Sequence, residues 1–123
     1  MSKDLSKAKY FFPSKDLWSD DSTESASDRS SYAGTAFFAG ACRSNRYSII
    51  EDTGLKNIQV LSHELEHLLG SNHDSILDGE KCPESDNYIM TPVSGIYSNT
   101  QNHIYFSSCS INRIKSMILS EGY

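Results

Sequence analysis

Apolar positions are sparse over the first 31 residues. Only Tyr10–Phe12 and the pair Leu17 and Trp18 interrupt a run of Ser, Asp and Lys such as SDDSTESASDRSS. A stretch of this kind cannot bury enough apolar surface to offset its own ordering entropy. Residues 1–33 are therefore expected to form a polar, flexible N-terminal segment whose few aromatics could dock on a core. From Tyr32 the pattern changes. YAGTAFFAGAC reads as a short strand of small and aromatic residues bounded by glycines, and RYSIIED as a second strand centred on Ile49 and Ile50. TGLKNIQVLSHELEHLLG carries Ile58, Leu61, Leu65, Leu68 and Leu69 at steps of three and four, an amphipathic helix. Asp52 or Thr53 can cap its start, and Gly70 stands where a left-handed C-terminal residue belongs. A long turn-rich stretch follows, from Ser71 to Ser108. CSINRIKSMILSEG then closes the chain as a helix with Ile111, Ile114, Met117 and Ile118 on one face. The order of elements predicts an α+β domain over residues 34–123.

Length and charge narrow the function. A chain of 123 residues holds one domain, and no span is apolar enough to cross a membrane. A net charge of −5 argues against nucleic acid or an anionic membrane surface as partner. MSKDLSKAKYFF has no apolar core of a secretory signal, which leaves an intracellular chain or a mature piece of a longer product.

Three of the four histidines fall within HELEHLLGSNHD, residues 63–74. His63 and His67, four apart on a helix, project from one face at the spacing two metal ligands need. Glu64 is placed to reach a water on the metal without ligating it. Gly70 lets the chain leave the helix, so that His73 can swing back as a third ligand. Three imidazoles leave one of zinc's four positions open, which is the arrangement of a catalytic rather than a structural site. HExxH alone is a short pattern that also occurs by chance on surface helices. The helix-ending glycine, the third histidine and the amphipathic carrier tell against chance here. His103 reads as a surface or packing residue.

HExxHxxGxxHD resembles the zinc motif of the metzincin metalloproteases, and Asp74 after the third histidine resembles the adamalysin or reprolysin branch. That branch includes the ADAMs and secreted venom and salivary enzymes. GTAFFAGAC is similar to the family's edge strand, SIIED to the strand before the active-site helix, YIMTP to the Met-turn, and FSSCS to the approach to the last helix. The resemblance implies a partial metzincin-like (zincin) catalytic domain, its C-terminal portion, secreted and zinc-dependent. It implies Zn²⁺ on His63, His67 and His73, and Met90 as the floor of the site. Glu64 would be general base toward a zinc-bound water that attacks a peptide bond. A protein or peptide substrate would pair with the edge strand from Thr35 to Ala39, touching Thr35, Ala36 and Phe37. Thr91, Pro92 and Val93 would wall a side-chain pocket. It also implies a Cys82–Cys109 disulfide, with Cys42 left for a cysteine this chain lacks; three reduced thiols in a cytosolic protein are the alternative.

The chain departs from the family in three ways. Glu66 stands where relatives have Gly or Ala and is expected to point to solvent. Tyr88 replaces a common cysteine. The first 33 residues do not resemble the family's opening strands and helices. A second reading therefore stands beside the protease: a catalytically silent binding protein that keeps the zinc site.

Overall fold

The structure is a computed structural model that describes residues 9–11, 33–51, 57–75, 81–92 and 101–121. Three short strands form one sheet. β1 (Lys9–Phe11) pairs parallel with β3 (Tyr47–Ile50), and β2 (Gly34–Ala36) pairs with β3 antiparallel, giving the order β1-β3-β2. The register sets Lys9 opposite Tyr47, and Gly34, Thr35 and Ala36 opposite Ile50, Ile49 and Ser48. β1 falls on the Tyr10–Phe12 cluster, the docking point available in the polar N-terminal segment. The remainder of residues 1–32, with Leu17 and Trp18, lies outside the described residues, as do Asp52 and Thr53.

β3 is the centre of the sheet and has a period of two. Ser48 and Ile50 are buried, whereas Tyr47 and Ile49 are exposed on the other face. The buried face packs against α1 (Asn57–Leu68), which contacts both β2 and β3. Ile50, Leu68, Ala41 and Met90 form the core of this layer.

The helical spacing predicts a stripe from Ile58 to Leu69. Leu68 is fully buried and Leu61, Leu65 and Leu69 are half-buried, but Ile58 is 69% exposed.

The end of α1 is defined by backbone bonds. Gly70 has φ +87°, its N–H donates to His67 O at 3.0 Å, and the Ser71 N–H donates to Glu66 O at 2.9 Å. These two bonds are a Schellman motif, as the glycine predicts. Two further donors come from the corner after β2: Ala39 N–H to His67 O at 2.9 Å and Ala41 N–H to Leu68 O at 3.0 Å. The edge strand is thus shorter than its sequence suggests. It ends at Ala36, and Ala39, at φ 53°, belongs to a turn that docks on the helix end. Small side chains at Ala39 and Ala41 allow that close approach.

Among the described residues beyond α1, a 3₁₀ turn at Glu84–Asp86 is the regular element before α2 (Ser108–Ser120). Ser107 caps α2, its hydroxyl accepting the Ser110 N–H at 3.1 Å. Of the apolar face predicted for α2, Ile114, Met117 and Ile118 are half-buried and Ile111 is exposed. Cys82 and Cys109 are joined as a disulfide, and Cys42 is not part of it.

The bridge closes a loop across a sequence separation of 27, a closure worth about 3.5 kcal/mol in the chain-entropy description. Replacing both cysteines by alanine should lower unfolding stability by about 2–4 kcal/mol, read as a lower urea midpoint. An unchanged midpoint would mean that the loop is held without the bridge.

Candidate metal centre and active site

His63 and His67 lie one turn apart on α1 and present their imidazoles on one face, as the spacing predicts. The chain reverses through Gly70 and returns His73 to the same point. His73 Nε2 is 3.1 Å from His63 Nε2 and 3.2 Å from His67 Nε2. Ring centroids are 4.8–5.1 Å apart. The other nitrogen of each helical histidine is committed. His63 Nδ1 meets Ile89 O at 2.7 Å and His67 Nδ1 meets Ser71 O at 2.8 Å. A carbonyl can only accept, so each Nδ1 carries the proton and each Nε2 turns a lone pair inward.

This donor set fits a tetrahedral cation. Two nitrogens at about 2.05 Å from zinc in tetrahedral geometry lie about 3.3 Å apart, close to the 3.1 and 3.2 Å found. Backbone carbonyls on the outer nitrogens are the usual second layer that orients metal-binding imidazoles. Burial lowers all three histidines from their ordinary value, and for His73 burial followed by its two neighbours takes it to about 4. The site thus favours the neutral, ligating form.

Glu64 leaves the same helix toward β2. It is 4% exposed, and its Oε2 is buried with no hydrogen-bond partner among the described residues. Burial lifts its carboxyl to about 7. A carboxylate poised near neutral pH is suited to taking and returning a proton.

Met90 is fully buried, and its carbonyl accepts the Asp74 N–H at 2.8 Å. The turn from Tyr88 to Thr91 is closed by Thr91 N–H to Tyr88 O at 3.0 Å. This turn therefore holds two parts of the site, His63 through Ile89 and the His73 loop through Met90. Thr91 faces inward: it is 3% exposed and its hydroxyl donates to Glu84 O at 3.0 Å. Its side chain steadies the turn instead of walling a pocket. Pro92 is exposed, and Val93 lies outside the described residues. Thr35 and Phe37 are exposed and Ala36 is half-buried along the edge. His103 supplies its carbonyl to Gln59 Nε2 at 3.0 Å and stands apart from the three ligand histidines.

Glu66 does not point to solvent. It is 1% exposed, and neither carboxyl oxygen has a hydrogen-bond partner among the described residues. Because α1 is covered by β2 and β3 and its C-terminal end lies near the start of α2, positions 64, 66 and 68 are all enclosed. Burial lifts Glu66 to about 7. Ser110 opposes this, Asp74 adds to it, and Arg113 opposes it.

Some supporting residues carry weak sequence signals. Asp74 Oδ1 accepts the hydroxyls of Ser107 at 2.6 Å and Ser110 at 3.2 Å. Arg113 Nη1 donates to Asn72 O at 2.8 Å and stands 3.9 Å from Asp74 Oδ1. Burial raises Asp74, while the two serines and Arg113 pull it down. The serine cap before an apolar helix was a readable cue for this clamp, but its link to Asp74, 33 residues earlier, is a tertiary fact.

Three converging imidazoles, two of them with lone pairs turned inward, and a buried carboxyl next to the first in sequence make up a metallohydrolase type of site. The chain belongs to the reprolysin-like metallopeptidases: residues 16–120 match the family described as Metallo-peptidase family M12B, Reprolysin-like. This is a family of zinc enzymes. The chain is 38% identical over 95 residues to a silkworm (Bombyx mori) protein named "A disintegrin and metalloproteinase with thrombospondin motifs like", covering 64% of this chain and 13% of that one. It is 32% identical over 90 residues to a venom metalloproteinase of Olivierus martensii, covering 71% and 22%. It is 33% identical over 86 residues to human "A disintegrin and metalloproteinase with thrombospondin motifs 6", covering 69% and 8%. The chain thus spans about a fifth or less of these relatives. Among the described residues no helix is long and apolar enough to cross a membrane.

The lowered histidines set a pH window. A histidine whose folded pKa is depressed refuses protons that the unfolded chain accepts, so stability rises with pH across that interval. For His73 the interval runs from about 4 to its ordinary 6.5. Glu64 and Glu66, raised to about 7, act in the opposite sense, so the expected effect is a difference: His73→Gln should lose less urea resistance than the metal-free parent as pH falls through this range. An unaltered slope in His73→Gln would show that His73 is not held neutral. Asp74→Ala should weaken zinc binding about tenfold or more by freeing the His73 loop, measured by competition with a chromophoric chelator; parental affinity would show that the clamp does not position His73.

Proposed function

We propose that this chain is a zinc-dependent endopeptidase, with His63, His67 and His73 as metal ligands and Glu64 as general base. The observation that carries the reading is the convergence of the three Nε2 atoms, two of the separations being 3.1 and 3.2 Å, on a helix whose next residue after His63, Glu64, is buried. Held by these three imidazoles, zinc would supply Lewis acidity toward water and the scissile carbonyl. The remaining work falls to the chain. A Glu64 carboxylate oxygen takes a proton from the attacking water and hands it to the leaving amine. Ile89 O and Ser71 O hold the two helical imidazoles in the ligating tautomer.

Substrate recognition follows from the sheet. Among the described residues β2 has no neighbour on its outer side. The bonds Glu51 N–H to Ala33 O and Phe37 N–H to Tyr47 O mark alternate residues that face β3. The backbone groups of Gly34 and Ala36 then face outward and can take an extended protein or peptide as an added strand. Thr35 on the strand, Phe37 just after it and Pro92 beyond the Met-turn are exposed. The Cys82–Cys109 disulfide and the venom relative support an extracellular setting.

Glu64→Gln keeps size and shape but cannot accept the proton. Zinc content should survive while cleavage of a denatured protein substrate falls by about 10²-fold to 10⁴-fold. His67→Ala should lose both. Loss of zinc in Glu64→Gln would make Glu64 a ligand and overturn the mechanism. A parent chain that binds zinc normally and cleaves nothing, with or without chelator, would leave the silent binding protein as the function.

A further inference from the structure

The backbone of Gly34 does not require glycine: its φ is not in the left-handed region. Space requires it. A Cβ built on Gly34 would lie 2.7 Å from Glu64 Oε1, 2.8 Å from Glu64 Cγ and 3.0 Å from Glu64 Cδ. The three nearest atoms all belong to one side chain. Gly40 offers a contrast, because a Cβ there would meet the backbone oxygens of Asn45 at 2.7 Å and Phe37 at 2.9 Å. A side chain at 40 would disturb the fold, whereas one at 34 would disturb Glu64.

Both backbones at this contact are fixed. Gly34 is paired with Ile50, and the next rung is held by Glu51 N–H to Ala33 O at 2.9 Å. Glu64 sits in the middle of α1, which packs on β2 and β3. The flexible partner is the Glu64 side chain. Its Oε2 is buried with no hydrogen-bond partner among the described residues, so packing, not a hydrogen bond, locates that end of the carboxyl.

We infer that Gly34 is a positioning residue for Glu64: its bare Cα leaves the room in which the carboxyl sits against the substrate edge. Resting on the protease reading, this gives the strand a second role. The residue whose outward backbone groups would pair with substrate also sets where the proton acceptor stands. A displacement on the order of 1 Å at such a group can cost about 10²-fold in rate.

The test is a double-variant cycle on the zinc-loaded chain. Gly34→Ala should keep the parental zinc affinity and KM and lose kcat by about tenfold or more. Its melting temperature should fall by about 3 °C or more, because the added methyl is forced against Glu64. In a Glu64→Ala background the three atoms nearest the methyl are gone, and the same substitution should lower the melting temperature by clearly less or not at all. An equal fall in both backgrounds would place the clash elsewhere and overturn the inference, as would parental kcat in Gly34→Ala. If the parent chain binds zinc but is inactive, the protease reading fails. The melting-temperature cycle then decides alone whether Gly34 positions Glu64.

Discussion

The hydrogen bonds from Ser107 and Ser110 to the buried Asp74 carboxylate are the constraint on which the lower part of the molecule depends. They join two segments distant in sequence, and the disulfide ties α2 to a third at Cys82. Asp74 follows the third histidine, Ser107 caps α2, and α2 carries Cys109 of the disulfide. The loop bearing His73 has no regular structure of its own. It is held by Asp74 to α2, by its backbone to Met90, and by Arg113 to the carbonyl of Asn72. A buried carboxylate is costly when unpaired. Here two hydroxyls satisfy one oxygen, so the cost of burial becomes a penalty on any other loop position.

The upper part depends on the end of α1 in the same way. Helix C-termini leave carbonyls without partners. The carbonyls of Glu66, His67 and Leu68 are met by Ser71, Gly70, Ala39 and Ala41. One set of bonds ends the helix, turns the chain toward His73 and fastens the corner after β2. The candidate ligand His67 and the outer strand are thereby parts of one hydrogen-bonded unit.

What could be read in the sequence was what short-range geometry governs. Helix spacing places His63 beside His67, and the need for a left-handed residue places Gly70. The disulfide and the Met-turn came by resemblance to a family, not from spacing. Burial decided the features that were missed. Glu66 occupies a helical position that the apolar stripe leaves to solvent, yet the helix is covered on more than one side. Thr91 reads as a pocket wall until its hydroxyl is seen on Glu84 O. The alternation of small and aromatic residues from Thr35 to Ala39 is strand-like, but helix carbonyls attract the Ala39 and Ala41 amides and end the strand early. Gly34 gave no cue, because its neighbour Glu64 is 30 residues away.

The mixed sheet also has a consequence in time. β2 and β3 are joined by a corner of ten residues, and α1 follows β3 closely, so these three can find one another through short loops. β1 pairs in parallel with β3 across 38 positions, Lys9 with Tyr47. Closing that larger loop costs more chain entropy and is rewarded only once β3 already stands as a template. On loop-closure entropy alone, the N-terminal strand is the last of the three strands to join as the chain folds. Of the two sides of the sheet, the one beside the Glu64 carboxyl is set early and the far side late.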